Sequence, residues 1–203
     1  MSLLDIETIK ESTLTAQFKT ETTTIHDGLD KAIMTKRPFS SIERYALFLQ
    51  IQLAFHIAVA PLYHDKKFQD CIAGLASMQR LDAVYDDLCD LSFKQQADDI
   101  LKQHSDTRTF SFEQGLAWLY VVEGSNLGAE YLLKAAKRIN LSETFGARHL
   151  APAEQGRSVA WQQFSNSINK IELDELQIKN ALIAAQQAFS FVRELVDKTF
   201  AQM

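Results

Sequence analysis

Residues 115–134 read GLAWLYVVEGSNLGAEYLLK. The stretch reads as a helix, yet Gly124 and Gly128 stand in its middle. Each glycine weakens a helix interior by roughly 1 kcal/mol relative to alanine. The chain has only seven glycines, so two here require a reason. Four residues apart, they lie on one helix face. A bare face has three ordinary uses: close approach of a neighbouring helix, a bend, or contact of a flat ligand with the backbone. Ser125 and Asn126, between the glycines, are polar and helix-weak, which favours a bend with exposed backbone groups. Tyr120 lies four residues before Gly124 on the same face and can offer a hydroxyl at the edge of whatever lies there.

Outward from this stretch the signals stay helical. Ser111-x-x-Gln114 is placed to start the glycine-bearing helix, and Asp174-x-x-Gln177 to start the last one. Ser40-x-x-Glu43 reads as a capping box before RYALFLQIQLAF, and Ser92-x-x-Gln95 as a start for KQQADDILKQ. Further helices are expected over Thr13 to Met34, Arg80 to Leu91 and Glu154 to Ile171. Alternating β patterns are scarce and the loops short. The expected fold is all-α, one helical bundle domain over residues 1–203.

Composition narrows the function classes. At 203 residues, with 46% hydrophobic and 23% charged residues, the balance is that of a soluble globular protein with a sizeable core. Net charge is −5 with no basic block, which argues against nucleic acid as a partner. Cys71 and Cys89 form no zinc or CxxC spacing and suit a reducing cytoplasm. The start, MSLLDIETIKES, carries early acids and no long apolar run, so no secretory signal is expected. The most apolar segment, Tyr45 to Tyr63, is interrupted by Gln50, Gln52 and His56 and stopped by Pro61. It reads as a buried core helix and not a membrane span.

His26, in FKTETTTIHDGLD, is the candidate metal ligand. Lys19, Thr22 or Thr23, His26 and Asp30 share a helix face. Asp30 is placed to take the imidazole N–H, as a carboxylate does when it orients a metal-binding histidine. Lys19, two turns away, can hold an anionic group. One helix thus offers a single nitrogen ligand, the other a bare backbone without ionisable side chains between its glycines. A flat, anionic, metal-centred ligand between them satisfies both, and haem fits that description. The other histidines read as structural: His56 as a hydrogen-bonded core residue, and His64, His104 and His149 as surface groups near helix ends or in loops. Phe189 and Phe191 read as core.

FKTETTTIH and LYVVEGSNLGAEYL together resemble the haem oxygenase family, specifically its soluble bacterial members. The second motif, Tyr, then Glu-Gly-Ser, then Leu-Gly, is the more specific. The resemblance implies a helical fold that sandwiches haem between a proximal and a glycine-kinked distal helix. It also implies O2-dependent cleavage of haem to biliverdin, carbon monoxide and ferrous iron, with electrons from an external donor such as a ferredoxin or flavin reductase. His26 is then the iron ligand, with Asp30 orienting it. Gly124 and Gly128 are the distal backbone, and Ser125 lies near the bound oxygen or its water network. Lys19 and Tyr120 are the implied propionate contacts, with Lys134 a further anchor although helix geometry puts it off the glycine face. Thr22, in the proximal stretch, is a further implied haem-binding residue. Arg80 resembles an arginine that some bacterial members use in a distal water network.

The sequence departs from the family pattern in two places. Ser125 stands where mammalian-type members carry an aspartate, so proton delivery would fall to water, backbone or Arg80. WQQFSNSINK shows no late basic pair for the propionates. The chemistry wants a neutral histidine ligand and a distal side without strong acids, since an acid against the oxygen favours O–O heterolysis over attack on the ring. A haem carrier or sensor without turnover, and a bundle whose glycines only pack helices, are the competing readings.

Overall fold

A computed structural model describes residues 12–104 and 108–201; residues 1–11, on which the expectation about a secretory signal falls, lie outside the described residues. Nine α-helices and one 3-10 turn make up the described residues, with two isolated bridges in the turn at Ser142 and no strand. The helices are α1 Leu14–Thr35, α2 Ile42–His64, α3 Lys66–Gln69, α4 Leu75–Met78, α5 Leu81–Asp90, α6 Lys94–Gln103, α7 Phe112–Lys137, α8 Arg157–Ile168 and α9 Glu175–Phe200. The 3-10 turn, Arg148–Leu150, lies between α7 and α8.

Capping chemistry sets several boundaries. Ser111 with Gln114, and Asp174 with Gln177, close the two expected capping boxes at α7 and α9. Thr13 caps α1, accepting from the Ala16 N–H. Two expected caps fail. The cap of α2 is Ser41, whose extended backbone lets its hydroxyl take the Arg44 N–H; Ser40 instead donates to the Arg37 carbonyl. Ser92 sits at a φ of 70°, in the left-handed turn closing α5, and α6 starts after Phe93 with no side-chain cap. Pro61 does not stop α2, which runs three residues further, and the Asp65 N–H still reaches the Pro61 carbonyl. The helix expected over Glu154 to Ile171 is shorter, because Gly156 enters it at a φ of 87°.

Two apolar clusters form the interior. One gathers α1, the C-terminal half of α2, α9 and the first half of α7 through Phe18, Phe55, Trp118 and Val192. The other joins the N-terminal half of α2 to α5, α6 and the second half of α7 through Tyr45, Leu49, Leu88 and Leu133. By length and composition α2 passes as a membrane span, but its most apolar window is 61% buried and both clusters are built on it. Helix α7 leaves the first cluster at Val122 and enters the second at Ala129. The glycine segment, residues 123–128, is the seam between them.

Candidate active site

Helices α1 and α7 both lean on α9 yet make almost no backbone contact with each other. Phe18 and Tyr120 bridge them, ring centroids 4.7 Å apart. On this bridge opens a cavity of about 510 Å³, lined by Lys19, Tyr120, Trp161 and neighbouring residues of α1 and α8. Lys19 makes no ion pair among the described residues, so its ammonium is available to an anion. Tyr120 is half-buried, and desolvation raises its phenol pKa, keeping it a neutral hydrogen-bond donor.

His26 projects from the same helix with an exposed imidazole, its ring edge against Phe189 of α9 at 5.7 Å between centroids. Asp30 stands 3.6 Å from Nδ1, beyond hydrogen-bond length, and Asp27 stands 3.7 Å away. Two carboxylates thus stand beside the ring without a hydrogen bond to it, where the sequence pointed to Asp30 alone and to a hydrogen bond. Thr22 lies inside the bundle. It is buried, and its hydroxyl donates to the Phe18 carbonyl at 2.7 Å, one turn back on its own helix. A threonine satisfied this way has no donor left for a ligand. Among the described residues no group of three or more His, Cys, Asp or Glu side chains could enclose a metal. A single histidine ligand suits an iron that brings its other ligands with it, and haem does so.

The glycine helix runs unbroken through Gly124 and Gly128. A side chain at Gly128 would meet nothing within 4 Å, and one at Gly124 would touch only the Trp161 ring, at an ordinary 3.5 Å. Close helix packing therefore does not explain the pair. The glycine of this helix that does serve packing is Gly115, where an added Cβ would lie 2.3 Å from the Phe68 ring. Ser125 is exposed and donates to the Val122 carbonyl at 2.7 Å. Lys134 is exposed and held by Glu130 at 2.6 Å, away from the cavity lining.

A buried polar layer lies beneath the glycines, on the core side of α7. Arg80, directly before α5, donates through Nη1 to the carbonyls of His149 and Ala151, at 2.8 Å each. Burial lowers its pKa, while the nearby Glu123 and Tyr63 oppose that shift. His56 is buried as expected, but its Nδ1 has no protein partner. Burial, with His149 and Arg80 close by, pushes its pKa down to about 3. His149 is not a surface group. It is buried against Asp87, which accepts from its Nδ1 at 2.7 Å and its backbone N–H at 3.0 Å. Its partner lies 62 residues away, and no local pattern announces a contact of that range.

Comparison with known proteins decides the family. Residues 12–198 match the Heme oxygenase family model. This chain belongs to the haem oxygenase family. It is 35% identical to Heme oxygenase PigA of Pseudomonas aeruginosa over 201 residues, 99% of this chain and 100% of that protein. The NO- and CO-bound haem oxygenase of Neisseria meningitidis superposes with a TM-score of 0.82 at 34% identity, over 93% of this chain and 92% of that one. The haem-complexed haem oxygenase-1 of the cyanobacterium Synechocystis shares the fold, at 15% identity and a TM-score of 0.70 over 92% of each chain. This haem oxygenase thus acts in haem degradation, and the haem-carrier and packing-only readings fall away.

Proposed function

We propose that this haem oxygenase cleaves haem to biliverdin, carbon monoxide and ferrous iron in the cytoplasm, using O2 and electrons from a ferredoxin or flavin reductase. Haem is bound between α1 and α7. It supplies the redox iron and is itself the substrate. His26 would hold the haem iron, with the Asp27 and Asp30 carboxylates beside its ring. Lys19 and Tyr120 receive the propionates at the cavity they line. Gly124 and Gly128 would present bare backbone to the ring. Ser125, already bonded to its own helix, adds no acid there, so proton delivery would fall to water, backbone or Arg80.

The observation that carries this reading is the open face of the glycine pair. Helix α7 gives up side chains at two positions where no protein atom requires it, while the glycine needed for packing stands elsewhere on the same helix. The test is a visible spectrum of the protein with one equivalent of hemin, followed by ascorbate under air. The expected result is a shifted Soret band that decays into a broad long-wavelength bilin absorption. In His26→Ala the axial-ligand signature is lost and decay stops. A Soret band that survives reductant and oxygen, or none at all, overturns the reading.

A further inference from the structure

The glycine segment has a problem of its own making. Residues 123–128 contribute nothing to either apolar cluster, and Gly124 and Gly128 have no side chains with which to hold position. Something else must fix the height and rotation of this backbone. The residues that can do so are polar and lie on the other side of the helix.

Glu123, directly before the first glycine, is buried. The Tyr63 hydroxyl of α2, itself fully buried, donates to Glu123 Oε1. Asn126 Nδ2, from between the two glycines, donates to Oε2 at 3.1 Å. The Arg80 guanidinium is the nearby positive charge. From the opposite flank Arg157 of α8 donates to the Asn126 carbonyl at 3.1 Å and, through its other terminal nitrogen, to the Leu150 carbonyl. Asn126 is thus held twice, by side chain to α2 through Glu123 and by backbone to α8. Burying a carboxylate is costly unless it is well bonded, and a hydrophobic residue here would avoid that cost. What the acid adds is direction, because each of its oxygens fixes one partner on a defined line.

We propose that Glu123 is a positioning residue for haem cleavage: bridged to Tyr63 and Asn126, it fixes the glycine segment at a set height over the haem. This rests on the reading that Gly124 and Gly128 face haem. Tyr63 and Asn126 act through Glu123, and none of the three touches the reacting atoms.

The test has two arms, and the first needs no haem. Amide hydrogen exchange is measured on the apoprotein and on Tyr63→Phe, which removes one hydroxyl and little volume. Exchange at residues 124–130 should rise roughly tenfold, the loss expected when a buried hydrogen-bond acceptor is left without its partner. The helices α2 and α9 should keep their protection. In the second arm, kcat for hemin cleavage should fall roughly tenfold while the hemin Kd stays within about twofold, since the contacts with His26 and Lys19 are untouched. Should Tyr63→Phe not fold, Asn126→Ala removes the other bond and is read in the same way. Faster exchange throughout the protein, unchanged exchange at 124–130, or a local rise with unchanged kcat each overturns the proposal. Failure of the wild type to cleave hemin would instead overturn the proposed function, independently of the exchange result.

Discussion

His56 and His149 are equally buried but differently partnered. His149 is buried with a carboxylate, Asp87, at 2.7 Å. His56 is buried with no partner at Nδ1, so it stays neutral, its pKa pushed from 6.5 to about 3. That fixes the sign of its effect on acid stability. Below pH 6.5 the unfolded chain binds a proton on His56 that the folded protein refuses. Stability is therefore full above that value and falls as pH drops toward 3, by about 1.4 kcal/mol per pH unit at the steepest. Urea unfolding between pH 7 and 4 should show a flatter acid limb in His56→Gln than in the wild type. Equal slopes would mean that His56 takes its proton in the folded state too. The same burial logic separates the proposed ligand from the rest: His26 is the one with an exposed ring beside two carboxylates, on the helix that brings Lys19 to the cavity.

At the scale of the element, α7 carries its glycines for two unrelated reasons. Gly115 lets the helix lie on Phe68, which is itself buried. Gly115→Ala should therefore destabilise the protein by roughly 1–3 kcal/mol through overpacking, and a thermal melt showing no loss would refute this. The opening stretch of sequence includes Gly115, but only the pair at 124 and 128 stands out there, because paired spacing is visible in one dimension and a contact with Phe68 is not. Helix starts were legible where the cap and its partner three residues on are both local, as at Ser111 and Asp174. They were misplaced at Ser40 and Ser92, where the backbone conformation decides which serine can cap. The helix with Lys19 and His26, and the one with Tyr120 and the glycines, were both readable from spacing. The polar layer of Tyr63, Glu123, Arg80 and Asp87 was not, since each bond joins residues distant in sequence.

At the scale of the molecule, the two apolar clusters meet along α2 and α7. Helix α2 belongs to both and α9 supports α1 and α7 together, so those two helices can stay apart. The central claim is that the gap is kept for haem and that the glycine pair is bare for the same reason. The measurement that tests it most directly is hemin cleavage by Gly128→Ala under ascorbate and air, beside a melt of its apoprotein. Nothing lies within 4 Å of the added methyl, so the apoprotein should be no less stable, and up to about 1 kcal/mol more so. Cleavage should nonetheless slow roughly tenfold or more, because the methyl displaces the ring from its place on the backbone. A variant that cleaves hemin at the wild-type rate would contradict the account.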